Sequence, residues 1–532
     1  MRLSQHQFVE TRTSTRDATF VGASPRRVPL SRKTAGPGST RKNRERGTLK
    51  VARIDGSQAT DAKEPEPSED QPSVVNWTKQ WYPLAVVGDL DPSLPHAVRL
   101  LGKEIVLWRD GRGDWRAFED VCPHRMVPLS EGRINPADGT LMCSYHGWRF
   151  GSDGSCVDIP QARYAGTQDA ACSNRRAHAT TYPVQVRQGL VWVWGESGAE
   201  AYVESAVTPA PLLPEFDQTW EENDVANLHW YFVRDLPGSF DMWLENVCDQ
   251  SHLPYAHHGV AYDRNIPQAN HFKIWDVNKD LNEDEDWGFK LEWYQDQKNA
   301  SVQEIGFVSP CLIRFLTPRD MGMFSLLYFY MVPIDANTTR LITNGLVKPF
   351  PAMLSKFLDS PLKSFMHLLL MEVFDGDTVL VYKQNRNTKL SGTSDQLLRR
   401  YYLPNQSDQS IIAWRRWWAK MSGGGPDYSG DTSLPPVDLD KTEIINRFEQ
   451  HTKNCPSCMS ILNAMENTQK AIKVVGVGLL VNMAGLLGRG VDPVSKEMVL
   501  FAGGLALLGV LDSVVNSTKQ KFIYTGYIHG ER

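Results

Sequence analysis

Two short pairs of metal-ligating residues stand out in the chain. Cys122 and His124 are one residue apart, Cys143 and His146 two, and 18 residues lie between His124 and Cys143. Glycines and prolines around them place each pair on a turn between short strands. Two thiolates and two imidazoles suit tetrahedral zinc, and soft sulfur with borderline nitrogen also suits iron–sulfur chemistry.

A second group lies in "ENVCDQSHLPYAHH", residues 245–258. Glu245, Asp249 and His252 are spaced i, i+4, i+7, which predicts one shared helical face. His257 falls five residues after His252, about 140° off that face. Pro254 disfavours helix at Leu253 and breaks the ladder, so the turn after it can bring His257 back. Two imidazoles and one carboxylate make the facial triad of a non-haem Fe(II) centre, with positions left for O₂. The carboxylate must come from elsewhere, and "EVFDGDTVLVYKQ" offers Asp375 and Asp377. His258 is an adjacent alternative that spacing disfavours, and taken alone these histidines read as core or surface residues.

These candidates need elements to position them. Residues 76–200 read as all-β: "AVRLLGKEIVLWRDGRGDWRAFED" gives three strands around a Gly-rich turn, and Asp153–Gly154 signals a hairpin. Residues 201–440 mix strand and helix patterns, with a helix expected from an N-cap at Ser239. Residues 441–470 hold Cys455 and Cys458. A single Cys-x-x-Cys is too little for zinc unless a second subunit contributes, and by itself it reads equally as a structural or inert pair. Two apolar stretches follow, Val474–Leu487 and Met498–Val515. As helices they span about 21 and about 27 Å against about 30 Å of hydrocarbon. Lys473 can snorkel, and the glycines of both stretches suit close helix packing. A membrane hairpin over 471–517 is expected, the alternative being a soluble hairpin on the core, with a tail at 518–532.

Charge is uneven. Residues 1–50 carry 12 Lys/Arg against Glu10, Asp17 and Glu45, a balance of +9 in a chain of net −5, so the rest stands near −14. An acidic body excludes a nucleic-acid partner. The Arg-, Ser- and Thr-rich start reads as an organelle transit peptide, 1–51, or as a basic tail, followed by an acidic linker, 52–75. Eight cysteines in unrelated contexts do not make a disulfide framework.

The paired Cys-x-His and Cys-x-x-His with "SYHGWRF" resemble the Rieske family, in which one iron of a [2Fe–2S] cluster takes the cysteines and the other the histidines. Structural zinc is the alternative. The resemblance implies an α+β chain: an all-β Rieske domain, a helix-grip catalytic domain and the C-terminal helical hairpin. It makes Asp377, with Gln384 after it, the third iron ligand beside His252 and His257, Asp375 being the runner-up. Asp249 becomes a carboxylate bridging His252 to the cluster of a neighbouring subunit in a homotrimer. "WYPLAVVGDLDPSLPHAVRLLGKEIVLW", "CPHRMVPLSEGRI", "IPQA", "FDGD" and "RFEQHTKNCPSC" are most similar to the chloroplast pheophorbide a oxygenase group, from about Trp77 to the C-terminus. That implies an O₂-dependent ring opening of pheophorbide a to red chlorophyll catabolite, fed by reduced ferredoxin docking near Arg125, Arg133 and Arg149. It also implies an inner-envelope or thylakoid location and a thioredoxin-reducible pair at Cys455 and Cys458. Group members that oxidise protochlorophyllide or attach to the envelope translocon supply the alternative, another tetrapyrrole or a redox sensor.

Overall fold

A computed structural model of the chain describes residues 74–216, 231–265, 272–276, 288–295, 303–318, 324–348, 361–390, 396–430, 433, 435 and 439–531. The expected transit segment and nearly all of the acidic linker lie outside the described residues.

The N-terminal module is built from three small antiparallel sheets. Trp81–Val86 pairs with Leu190–Trp194, which pairs with Val184–Arg187. His96–Leu100, Lys103–Arg109, Trp115–Glu119 and Thr181–Tyr182 form the second sheet. Four strands of two or three residues, from Arg133 to Asp158, form the third. Val106, Trp108 and Phe118 of the second sheet close a buried core with Leu129, Leu141, Phe150 and the two cysteines Cys122 and Cys143. Two short helices, Pro160–Tyr164 and Gln168–Cys172, follow the third sheet. Pro160 sits in the first helical turn, where a fixed φ and a missing N–H favour helix initiation.

The second module is a seven-stranded antiparallel sheet. Phe232–Pro237 lies at one edge, followed by Thr338–Lys348, Phe324–Asp335, Leu312–Pro318, Gln303–Val308, Gly288–Gln295 and Phe272–Asp276. Residues 328–334 of the long strand are buried without alternation, because both faces are covered. Tyr330 meets Trp192 of the N-terminal module edge-on at 5.2 Å, while Phe329 faces Phe374 at 6.3 Å. Phe374 belongs to the 30-residue helix Pro361–Leu390 (α3), which lies on the sheet with Phe240–Cys248 (α1) and the single turn Leu253–Ala256 (α2). A further helix, Gln409–Met421 (α4), inserts Trp414, Trp417 and Trp418.

Asp375 fixes α3. It is fully buried, and it accepts from Arg234 Nη2 of the edge strand at 2.6 Å and from Arg447 Nε at 2.8 Å. Arg234 also donates to the Met371 carbonyl and to Gln450, and Arg447 to the Lys521 carbonyl. One carboxylate thus joins a strand, α3 and the segment that leads into the C-terminal helices.

Those helices are Pro456–Gly488 (α5) and Lys496–Lys521 (α6), about 50 and about 39 Å long. Both exceed the apolar stretches read from sequence, because α5 begins directly at the Cys-x-x-Cys. Gln469 Nε2 donates to Asp512 Oδ1 across the pair at 3.2 Å, and Lys519 meets Glu466 at 2.9 Å. Leu480, Leu500 and Leu507 are more than half exposed, and the rest of the described chain does not cover the apolar windows. Both helices are long and apolar enough to cross a membrane.

Removing Asp375 leaves two guanidiniums buried without a counter-charge, a loss of about 3–5 kcal/mol. Asp375→Ala is therefore expected to lower the urea midpoint sharply, whereas Asp138→Ala on the surface changes the unfolding free energy by under about 1 kcal/mol and leaves the midpoint nearly in place.

Candidate metal centres

The two cysteine–histidine loops share one backbone design. The Cys122 N–H donates to the carbonyl five residues on, at Val127, and Met126 N–H returns to the Cys122 carbonyl, each at 2.8 Å. Cys143 repeats this with Trp148 and Gly147 at 2.9 and 3.0 Å. The fourth residue after each cysteine is left-handed: Met126 at φ +58° and Gly147 at φ +75°. Glycine adopts this freely, and methionine pays about 1–2 kcal/mol for it. The repeat brings the His124 and His146 rings to 4.5 Å, with His124 stacked on Trp148 at 4.6 Å.

Both cysteines are about 1% exposed. Burial and then the nearby Cys143 thiol push Cys122 up to about 11, so iron must displace its proton. Burial, His146 and Arg125 hold His124 below the usual imidazole range, which keeps it neutral and able to ligate. His124 Nδ1 is buried without a hydrogen-bond partner. Two cysteines and two histidines converging on one tip fit a Rieske cluster. Around that tip Arg125, Met126, Arg133 and Tyr145 are exposed. Arg149 is not part of this surface: it pairs with Asp138 and with Asp158.

The second centre forms where α1, α2 and α3 meet. Glu245, Asp249 and His252 do not share a helical face, as their spacing suggested. The helix α1 stops at Cys248, and Asp249 is extended at φ −82°, ψ 122°. The Asp249 carboxylate accepts from the N–H and the hydroxyl of Ser251, both at 2.7 Å, an Asx turn that competes with the helix. The signal was Asp-x-Ser, not Pro254, which sits in the first turn of α2. His252 and His257 are the residues flanking that single turn, so their rings approach to 5.3 Å. Glu245 points elsewhere, paired with Arg415 and accepting from Gln384 Nε2 at 2.9 Å and the Tyr401 hydroxyl at 3.1 Å.

His252 Nε2 lies 3.4 Å and His257 Nε2 3.3 Å from the two oxygens of Asp377. Cis ligands at about 2.1 Å from one ion would stand about 3 Å apart, so the trio fits a facial site for non-haem iron. Asn246 Nδ2 donates to Asp377 at 3.3 Å and orients it. Asp375, the other candidate, is committed to its two arginines. His258 turns away and accepts from the Arg264 N–H at 3.2 Å.

Behind the trio, Asp249 Oδ2 lies 3.4 Å from His252 Nδ1. Burial opposes the charge of Asp249, but hydrogen bonds from His252 and Ser251 outweigh it and hold the carboxyl below its usual range. For His252, burial is outweighed by Asp377 and Asp249, and its pKa rises. For His257 burial prevails, and its pKa falls. A cavity of about 400 Å³ opens onto Asp249, His252 and Asp377, lined also by Gln384, Tyr401 and Tyr402.

Two features of the surroundings escaped the sequence. The C-terminal tail returns to the iron trio: Tyr527 Oη donates to the Ala256 carbonyl at 2.6 Å, and His529 Nε2 contacts the Gly376 carbonyl at 2.9 Å. Cys455 and Cys458 are buried in a separate group with His367 and His451. His367 has no local spacing that links it to the Cys-x-x-Cys, whereas His451 stands only four residues before Cys455.

Gly376 makes the return of the tail feasible, since a Cβ there would stand 2.9 Å from both the Ala256 oxygen and Tyr527 Oη. Alanine is the better helix former by about 1 kcal/mol. Gly376→Ala is nonetheless expected to part His257 from Asp377 and lower mononuclear iron several-fold, with the cluster's electron paramagnetic resonance unchanged.

Residues 80–178 match the family model described as Rieske [2Fe-2S] domain, and residues 237–422 match the Vanillate O-demethylase oxygenase C-terminal domain. Pheophorbide a oxygenase of Oryza sativa subsp. japonica is 30% identical over 96% of this chain and 97% of its own length. Flavonoid 8-hydroxylase 2 of Ocimum basilicum is also 30% identical, over 88% of this chain and 87% of its own. Protochlorophyllide-dependent translocon component 52 of Arabidopsis thaliana is 28% identical over 75% and 76%. An all-β cluster module, a helix-and-sheet module with a two-histidine, one-carboxylate trio, and likeness along the whole length agree. The chain belongs to the pheophorbide a oxygenase-like family of Rieske non-haem iron oxygenases, enzymes that carry a [2Fe–2S] cluster and a mononuclear iron.

Proposed function

We propose that this oxygenase opens the ring of a chlorophyll-derived tetrapyrrole, pheophorbide a, in a plastid membrane, drawing electrons from reduced ferredoxin. The observation that carries the reading is the likeness to pheophorbide a oxygenase over 96% of the chain, hairpin included. The hairpin suits an apolar pigment that partitions into lipid, and the N-terminal basic segment suits import. A second reading is favoured by the equal identity of a flavonoid 8-hydroxylase. Hydroxylation of a flat phenolic ring would use the same ligands. Oxidation of protochlorophyllide, or a sensor role, stands behind both.

In this proposal Cys122, His124, Cys143 and His146 hold the cluster, and His252, His257 and Asp377 hold the iron. The cluster supplies electrons singly, and the iron binds and activates O₂ when both are in place. Asn246, donating to Asp377 at 3.3 Å, would orient that carboxylate towards the ion. Asp249 Oδ2, 3.4 Å from His252 Nδ1, is placed to fix the tautomer of that ring, and its place in the lining of the 400 Å³ cavity suits contact with a neighbouring subunit's cluster tip in a trimer. Arg125 and Arg133, exposed beside His124, suit an acidic ferredoxin despite the acidic body.

Three measurements test this. Asp377→Ala should lose the mononuclear iron and keep the cluster signal, while Asp249→Asn should keep both metals and lose turnover by about 10²-fold or more, as a displaced tautomer does. Charge reversal at Arg125 and Arg133 together should raise the ferredoxin concentration needed for half-maximal rate, and this should fade at high salt. With ¹⁸O₂ and reduced ferredoxin, the full chain should label pheophorbide a and open it. Labelling of a flavone or of protochlorophyllide alone would transfer the assignment to that substrate.

A further inference from the structure

We propose that His367, His451, Cys455 and Cys458 form a structural zinc site that staples the membrane hairpin to the helix bearing the third iron ligand. This inference does not depend on which substrate the enzyme takes. The four side chains are between 0 and 3% exposed, and their ligand atoms converge. His367 Nδ1 lies 3.2 Å from His451 Nε2, 3.5 Å from Cys458 Sγ and 3.6 Å from Cys455 Sγ; His451 Nε2 lies 3.3 Å from Cys458 Sγ. Tetrahedral zinc, with bonds of about 2.05 Å to nitrogen and about 2.3 Å to sulfur, sets N···N at about 3.3 Å and N···S at about 3.55 Å. These four of the six edges match that tetrahedron to within a few tenths of an ångström, and all the ligand atoms lie within 4.8 Å of one another.

Three further observations point to a cation. His451 Nδ1 is 2.5 Å from the Val233 carbonyl, so that nitrogen carries the proton and Nε2 turns its lone pair into the group. The cysteines sit at the N-terminus of a 33-residue helix, Cys455 as its N-cap, where the peptide dipoles favour thiolates. Two thiolates, two neutral imidazoles and Zn²⁺ sum to zero charge, which allows complete burial without a counter-ion. The sequence ruled out zinc within one subunit because it offered only two ligands; His367, on α3, and His451 supply the others. The lone pairs in this soft donor set select zinc over the oxygen-seeking cations.

The connection has a mechanical meaning. His367 precedes Asp377 by ten residues on α3, about 15 Å along the axis. His451 hangs from the edge strand through Val233, and the cysteines begin α5. The ion therefore joins the sheet, the iron-bearing helix and the membrane anchor.

Metal analysis of the purified full chain should find about one zinc per chain beside the iron of both centres, and zinc K-edge X-ray absorption should show two sulfurs at about 2.3 Å and two nitrogens at about 2.0 Å. That measurement is blind to iron and needs no variant. His367→Ala and Cys458→Ser should each lose the zinc while the cluster signal persists. A regulatory dithiol would require neither histidine. Absence of zinc with a reversible Cys455–Cys458 disulfide in the native chain, or zinc retained in His367→Ala with sulfur-only scattering, overturns the proposal.

Discussion

The register of one helix governs the catalytic module, and a buried ion triad sets that register. Asp375 can be buried because Arg234 and Arg447 reach it from two directions. In a low-dielectric interior each charge is tolerable only with its partners in place. The triad therefore admits one position of α3 against the edge strand. Phe374, held between Trp243 of α1 and Phe232 and Phe329 of the sheet, fixes the rotation. Two residues after Asp375, about 200° round the helix, Asp377 must then face the imidazoles. Two carboxylates of identical chemistry, two residues apart, are divided by their neighbours into a structural anchor and a partner of the two histidines.

The histidine side of the site is solved by ending a helix early. Continuous α-helix would have separated His252 and His257 by about 140°. Asp249 interrupts it, and the same carboxylate that makes the Asx turn through one oxygen offers the other to His252. Backbone geometry and ligand orientation come from a single side chain. This is why a substitution that keeps the turn but removes the charge separates the two roles.

Much of this was legible in the sequence and some was not. The cluster ligands announce themselves because Cys-x-His and Cys-x-x-His are local, and loops closed within six residues carry their own geometry. The strands from His96 to Glu119 were equally local. The α1 break was misplaced because proline is a louder signal than Asp-x-Ser, although here Pro254 merely starts the next turn. Glu245 fitted a helical period yet went to Arg415, a partner 170 residues away that no spacing announces. Arg149 likewise found Asp138 and Asp158 rather than solvent. His367 failed to register for the same reason: it lies 88 residues before Cys455, inside an apolar helix where a histidine reads as core.

The C-terminus shows how tightly anchor and chemistry are bound together. After leaving the body through α5 and returning through α6, the chain places Tyr527 against Ala256 and His529 against Gly376. These contacts touch the backbone of α2, between the two histidines, and of α3, beside Asp377. Arg447, already gripping Asp375, also holds the Lys521 carbonyl where α6 ends. Both ends of the apolar hairpin are thus joined to the segments that carry the trio, the approach to α5 and the end of α6 through Arg447 and Asp375, and the tail through α2 and α3. A displacement of either helix is therefore transmitted to α3 through a buried ion pair rather than lost in an intervening loop.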